Sequence, residues 1–304
     1  MSVLEAAGPQ AAHLLPLWRF MLVVSAIIFA LVILATLWAI LRRGAPPSER
    51  GLTRVVIGAT GLTVLILFTF LVLDFVTGRA LARTPPPALS VSVTGHQWWW
   101  EIEYEDPAPQ RRVRTANELH IPVGRPVEIR LRTSDVIHSF WVPSLGGKMD
   151  QIPARENTLR LQADTPGIYR GACTEFCGHQ HAKMALVLVA ETPDRFAEWY
   201  EAQLAPAPPP ADSSASRGLR VFLQGRCATC HSIEGTQAGS NVGPTLTHLA
   251  SRLTLASGVL PNTRGNLAGW VVDPQRIKPG ARMPPSPLPP ADLQALLDYL
   301  GSLR

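Results

Sequence analysis

The sequence predicts a chain in three parts: a two-helix transmembrane hairpin, an all-β domain and a smaller all-α domain. Three observations carry that prediction. Two long uncharged apolar runs lie near the N-terminus, short β-type runs separated by turn residues fill Leu89 to Tyr200, and a proline- then serine-rich stretch precedes a helical C-terminal segment. The 304 residues leave room for about two folded domains besides the helices. With 46% apolar and only 17% charged residues, the composition excludes a disordered chain. The net charge of +5 is scattered and forms no basic run, which excludes nucleic acid as a partner. Four cysteines, all beyond residue 170 and in two tight pairs, are too few for a disulfide scaffold and point to redox or metal chemistry.

The first part, residues 1–84, holds the apolar runs. Phe20 to Leu41 gives 22 uncharged residues and Val55 to Leu73 another 19, each able to cross a hydrocarbon core of about 30 Å, so helices are expected over about 20–41 and 55–76. A cleaved signal peptide is the competing reading of the first run. It fits poorly, because Glu5 precedes Arg19 and the run exceeds the usual apolar region of about 7 to 15 residues. Arg42, Arg43, Arg50 and Arg54 against Glu49 give the connecting segment a charge of +3, so the positive-inside rule puts it in the cytoplasm and both ends of the chain outside.

The second part, residues 85–204, shows β runs at Leu89 to Tyr104, Val127 to Arg132, His138 to Val142, Thr158 to Leu161, Ile168 to Gly171 and Ala185 to Val189, the pattern of a sandwich or barrel. Within it lies Cys173-Thr-Glu-Phe-Cys177-Gly-His-Gln-His181-Ala-Lys-Met184, with His138 some 35 residues upstream. Cys177, His181, Met184 and His138 form the two-nitrogen, thiolate and thioether set of a single electron-transfer copper. Cys173 is then one thiolate too many, and a second thiolate on the same loop could bridge two coppers, each with one histidine. Zinc would use both cysteines and both histidines but leave Met184 idle, since a thioether suits copper better. A Cys173–Cys177 disulfide would leave two histidines and a methionine converging without purpose.

These residues, with Gly95-His-Gln-Trp98-Trp99-Trp100-Glu-Ile-Glu-Tyr104, Asp135-Val-Ile-His138-Ser-Phe140 and Gly147-Lys-Met-Asp-Gln-Ile-Pro-Ala154-Arg155, resemble subunit II of haem-copper cytochrome c oxidase in order and spacing. The resemblance implies a cupredoxin-like fold with a copper-A centre of two copper ions. His138, Cys173, Cys177, His181 and Met184 would be side-chain ligands, and Glu175 would contribute its carbonyl oxygen. It also implies that the Glu175 carboxylate reaches a magnesium ion at the contact with subunit I, and that Trp98 is where electrons enter. Trp99 stands where the family usually has tyrosine, and Ala154 replaces a glycine. The acidic residue and Trp-Thr-Pro that usually open the second helix are missing, which leaves Glu49 as an ordinary interfacial carboxylate in preference to a proton-entry group. His96, His120 and His179 are expected to be structural.

Ala205 to Ser216 is a Pro/Ser-rich spacer, and residues 217–304 form the third part. Its Cys227-Ala-Thr-Cys230-His231 has the spacing for two thioethers to haem vinyls and a histidine on iron; the thioredoxin-type alternative lacks a βαβ pattern. Met283 is the part's one methionine and is preferred to His248 as sixth ligand. Gly243-Pro-Thr-Leu246, the Met283-Pro-Pro loop and a closing helix over Ala291 to Leu303 resemble a class I cytochrome c, with an all-α fold and one covalent haem c. Residues 88–201 carry 15 acidic and 12 basic residues, net −3, whereas residues 211–304 carry 5 and 9, net +4, so the tethered domains are expected to dock by charge near Trp98.

Together the resemblances imply a subunit II fused to cytochrome c, as in caa-type oxidases: a two-pass protein of the bacterial inner membrane with both soluble domains on the periplasmic or extracellular side. It would take electrons from a cytochrome c or a cytochrome bc complex through haem c and copper-A to subunit I, with subunit III alongside. There oxygen is reduced to water and protons are pumped. The alternative of another class is a membrane-anchored copper-binding protein or metallochaperone that carries a haem. A nitrous-oxide-reductase-like enzyme would need a histidine-rich cluster domain, and eight histidines are too few.

Overall fold

The computed structural model describes residues 4–42, 48–82 and 85–304; Arg43 of the basic connecting segment lies outside the described residues. Each apolar run becomes the centre of a longer helix, α1 (Pro9–Leu41) and α2 (Glu49–Ala82). At about 1.5 Å per residue both exceed the hydrocarbon thickness, so their polar ends extend past it. Phe20 and Phe70 join the pair, ring centroids 5.0 Å apart. Phe29, Leu34, Leu65 and Phe68 are among many large apolar side chains left exposed, the pattern of a surface solvated by lipid or by other membrane helices.

The β domain is built from β1 (Leu89–His96), β2 (Trp99–Tyr104), β3 (Val113–Ala116), β4 (Glu118–Pro122), β5 (Val127–Thr133), β6 (His138–Trp141), β7 (Met149–Gln151), β8 (Asn157–Leu161), β9 (Gly167–Cys173) and β10 (Ala185–Glu191). They form two five-stranded sheets in the orders β3-β2-β1-β5-β8 and β4-β10-β9-β6-β7. Alternating burial along β2 and β5 marks the inward face of the first sheet, and Trp100, Ile102, Ile129 and Leu131 meet Phe140, Leu186 and Leu188 in one core. Helix α3 (Pro193–Gln203) adds Phe196, Trp199 and Tyr200 around Tyr104.

Leu89 to Tyr104 is not one strand. It folds back on itself, with β1 antiparallel to β2 and His96 opposite Trp99. The tryptophan run therefore straddles a tight turn, and alternation holds only from Trp99 onward: Trp100 is fully buried, whereas Trp99 is half-buried and stacks on His96 at 4.2 Å. Three short strands, β3, β4 and β7, carry too little alternation to be visible in the sequence.

The C-terminal domain comprises α4 (Ser213–Gln224), the two-residue ribbon β11 (Thr254–Leu255) and β12 (Leu260–Pro261), α5 (Arg264–Val272), α6 (Pro274–Ile277) and α7 (Pro290–Ser302). Its first helix starts inside the serine-rich stretch, four residues before the boundary expected at residue 217. Asp212 caps it by accepting the Ala215 amide at 2.7 Å, and Ala215 is buried. Helices α4 and α7 cross at Gly218, where a Cβ would fall 2.0 Å from the Ala295 carbonyl. Gly218→Ala is expected to lower the stability of this domain by about 1–3 kcal/mol, the usual range for overpacking, and to leave the β domain's own transition unchanged. Thermal unfolding followed by far- and near-ultraviolet circular dichroism measures both.

Candidate metal and haem sites

The sulfur cluster is assembled by strand pairing. Phe140 of β6 pairs with Cys173 at the end of β9, and the Thr174 amide donates to the Ser139 carbonyl at 3.0 Å, so His138 stands beside the loop that leaves β9. That loop closes when the Cys173 amide donates to the Met184 carbonyl at 2.9 Å. Gly178 makes the bend possible: its φ is +109°, and a Cβ would come within 3.2 Å of Gln97 Nε2 and of the Trp98 ring.

All six predicted ligand residues meet here. The Cys173 and Cys177 sulfurs are 3.8 Å apart, nearly twice the length of a disulfide bond, and both cysteines are free thiols. His138 Nδ1 lies 3.8 Å from Cys173 Sγ, and His181 Nδ1 lies 3.7 Å from Cys177 Sγ. The Met184 sulfur is 3.8 Å from Cys177 Sγ, and the Glu175 carbonyl oxygen is 3.2 Å from Cys173 Sγ. His138, Cys173, Cys177 and Met184 are all at least 95% buried. The hydrogen bond between the two sulfurs lowers the Cys173 thiol pKa and, reciprocally, raises that of Cys177. Three soft sulfurs and two imidazoles in a dry pocket fit copper, and a thioether inside the cluster is not what zinc selects.

Neighbouring polar groups orient the donors. Asp135 Oδ1 pairs with His138 Nε2 at 2.8 Å and leaves Nδ1 facing the sulfurs; its other oxygen accepts the Gln97 amide at 2.8 Å. Gln97 Nε2 and Trp98 Nε1 both donate to the Cys177 carbonyl, at 2.8 and 3.0 Å. Sequence reasoning quoted Asp135 and Gln97 as motif residues without a role, since nothing in their spacing announces either contact.

In the C-terminal domain Cys227 and Cys230 are free and half-buried. His231 Nδ1 donates to the Pro244 carbonyl at 2.7 Å, which fixes the tautomer and frees Nε2 as a ligand atom, and burial pulls the imidazole pKa down so that it stays neutral. Two thiols and a neutral, oriented imidazole fit a covalently held haem. Met283 is half-buried, its carbonyl held by Gln275 Nε2 at 3.0 Å. His248 is engaged elsewhere: its Nε2 contacts the Gln203 and Ala205 carbonyls at 3.2 and 3.0 Å and ties down the start of the spacer.

The two soluble domains touch at Trp98 and also along β3, β4, β9 and β10, mostly not through ion pairs. Arg282 Nη2 is 3.7 Å from Asp135 Oδ2. The other contacts are directed hydrogen bonds, including Arg114 to Ser232 Oγ at 2.9 Å, Arg170 to the Gly258 carbonyl at 2.9 Å, Ser257 Oγ to the Ala185 carbonyl at 2.7 Å and the Leu253 amide to Glu118 Oε2 at 2.7 Å. Glu118 also contacts His120 Nε2 at 3.1 Å, while Glu191 takes His120 Nδ1 at 2.9 Å and Trp199 stacks on the ring at 4.0 Å.

Two predictions follow from these contacts. Asp135→Asn is expected to weaken copper binding about 10–100-fold, the usual cost of removing a ligand's orienting partner, whereas Glu175→Gln keeps the carbonyl and leaves affinity unchanged; chelator competition measures both. Burial opposes a charge on His120, but its hydrogen bonds to Glu118 and Glu191 outweigh burial and raise its pKa. A raised pKa means the folded state holds the proton more tightly. The stabilisation is therefore complete below the ordinary histidine range and lost as pH rises through the folded value. Denaturation midpoints should fall over that interval, and His120→Gln should flatten the profile.

Comparison with known proteins identifies the family. Residues 106–191 match the family model for the periplasmic domain of cytochrome c oxidase subunit II, and residues 215–304 match that for cytochrome c. Cytochrome c oxidase subunit 2 of Alkalihalophilus pseudofirmus is 34% identical over 319 aligned positions, covering 100% of this chain and 91% of that protein. The subunit 2 of Bacillus subtilis is 30% identical over 250, covering 79% and 69%. Among solved structures, the periplasmic domain of subunit II of the Bradyrhizobium japonicum cytochrome oxidase covers 39% of this chain and 95% of that one, at 29% identity and a TM-score of 0.37. With two spanning helices, a subunit II domain carrying a copper-type donor set and a cytochrome c domain carrying a haem attachment motif, the chain belongs to the cytochrome c oxidase subunit 2 family, as a two-pass membrane component of that oxidoreductase.

Proposed function

We propose that this subunit is an electron relay: a covalent haem c on Cys227, Cys230, His231 and Met283 and a two-copper centre on His138, Cys173, Glu175, Cys177, His181 and Met184. The observation that supports it most is the division of the donor set. The two thiols lie together in the middle, one histidine stands beside each, and a thioether and a carbonyl remain as weak ligands. Held by these residues, a haem would supply one-electron exchange with an outside cytochrome c or cytochrome bc complex, and copper would supply the onward one-electron link to subunit I, the site of oxygen reduction and proton pumping.

The chain's own residues prepare that traffic. Burial of the sulfurs keeps water and exchanging ligands away, and Asp135 and the Cys177 carbonyl contacts hold the donors in one arrangement, which limits rearrangement when charge changes. Trp98 joins the haem domain to the Cys177 carbonyl and is the electron-entry residue. Glu175 offers its carboxylate to a magnesium ion at the subunit I contact. Both soluble domains face the periplasmic or extracellular side, with the basic connecting segment in the cytoplasm. A copper carrier is disfavoured by the same burial, since transfer to a client protein needs reachable ligands, and His138 and Met184 are at most 1% exposed.

Low-temperature EPR with metal quantitation on the purified full chain tests the reading. The expected result is a mixed-valence signal of one electron shared by two coppers, with two coppers per haem. A single-copper spectrum, or copper that washes out, would overturn it.

A further inference from the structure

The haem domain meets the copper loop through one short segment. The Ile277 carbonyl accepts Lys183 Nζ at 2.6 Å, and the Pro279 carbonyl accepts Gln180 Nε2 at 2.5 Å. Lys278 Nζ donates to the Trp98 carbonyl at 2.7 Å and to Ala256 of its own domain at 3.2 Å. Arg282 Nη2 donates to Gln97 Oε1 at 2.7 Å, and the next residue is Met283. Every partner in the copper domain belongs either to the turn between β1 and β2 or to the loop Cys173–Met184. Gln97 and Trp98 in turn hold the Cys177 carbonyl. The six residues 277–282 thus connect the methionine proposed for the haem to the loop proposed for the copper.

Lys278 gives this contact its selectivity. It is 3% exposed, and among the described residues no carboxylate pairs with it. An ammonium in that position is costly unless hydrogen-bonded, and burial pulls its pKa down to about 7. Away from the Trp98 carbonyl it would keep only Ala256 and return to water, so its burial belongs to one docked position. Acceptors here are mainly backbone carbonyls, whose dipoles salt screens far less than it screens exposed ion pairs. A tether through the spacer keeps the effective concentration of the haem domain high.

We propose that Lys278 and Arg282 form a latch that fixes the haem domain on the Gln97–Trp98 turn, committing that turn to the chain's own haem and closing it to outside electron donors. Outside donors are then received by the haem domain alone. The inference rests on the relay reading, and the test separates the two.

Lys278→Met, Arg282→Gln and the double variant are compared with the parent in the assembled oxidase. Hydrogen exchange at 96–99 and 277–282 is followed on the chain with and without metals. Rapid mixing with a reduced soluble cytochrome c records whether the haem or the copper band responds first. The parent should protect both segments and show the haem responding first at low and high salt. The double variant should exchange at least about tenfold faster in both segments and admit copper reduction that leads the haem and scales with donor concentration. Unchanged exchange in the double variant, or a parent turn that exchanges freely, would overturn the latch. Arg282 has a side chain 65% exposed, so its replacement does not disturb folding and keeps the test valid if Lys278→Met misfolds. A parent without the two-copper signal would overturn the relay instead, and the exchange of the metal-free chain would still judge the latch.

Discussion

The adjacency of β6 and β9 is the constraint on which the metal centre depends. His138 and Cys173 are 35 residues apart in sequence, yet the pairing of Phe140 with Cys173 fixes where the histidine can reach. Everything else in the donor set comes from one loop whose ends are clamped by the Cys173–Met184 backbone hydrogen bond. The sheet supplies rigidity, and the loop supplies chemistry. Because both lie over the packed core of Trp100, Phe140 and Leu186, moving a ligand means disturbing that core.

Around the sulfurs, polar groups act through orientation and not through charge balance. Asp135 fixes the ring of His138, and the Pro244 carbonyl fixes that of His231. In both sites a hydrogen bond on one ring nitrogen leaves the other free to bind, so each imidazole is prepared before any ligand arrives. The same Asp135 accepts the Gln97 amide and approaches Arg282, which makes it a junction between the copper ligands, the aromatic turn and the haem domain.

The opposite net charges of the two soluble domains describe long-range attraction, but the contact itself is specified by where donors meet carbonyls. Lys278, Lys183, Gln180, Arg114 and Arg170 each find a partner fixed in space by secondary structure or by a constrained loop. Charge can bring two surfaces together in many poses; directed bonds to backbone or hydroxyl groups select one. The spacer contributes by being held, through Gln203 and Ala205 at His248 and through Ala207 at Glu234, and so behaves as an ordered connection.

The sequence by itself determined the parts with strong local signatures: two apolar runs long enough to span a bilayer, the sulfur-rich loop from Cys173 to Met184, and Cys227-Ala-Thr-Cys230-His231. Each is contiguous, and its chemistry is set by residue type and spacing. Longer strands such as β5 and β10 were legible from their apolar patterns, whereas β4 is buried at all five positions and shows no alternation, and β3 and β7 have only four and three residues and no distinct apolar run. The hairpin turn inside Leu89 to Tyr104 was hidden because it uses Gln97 and Trp98, without the glycine or asparagine that usually marks one. Tertiary structure alone decided that Asp135 orients His138, that Gln97 and Trp98 hold the Cys177 carbonyl, that His248 binds the spacer, and that Lys278 is buried against Trp98. Those contacts join residues from about 40 to 180 positions apart, apart from the short Asp135–His138 step. Their geometry depends on how sheets and loops pack, which no local pattern of residues encodes.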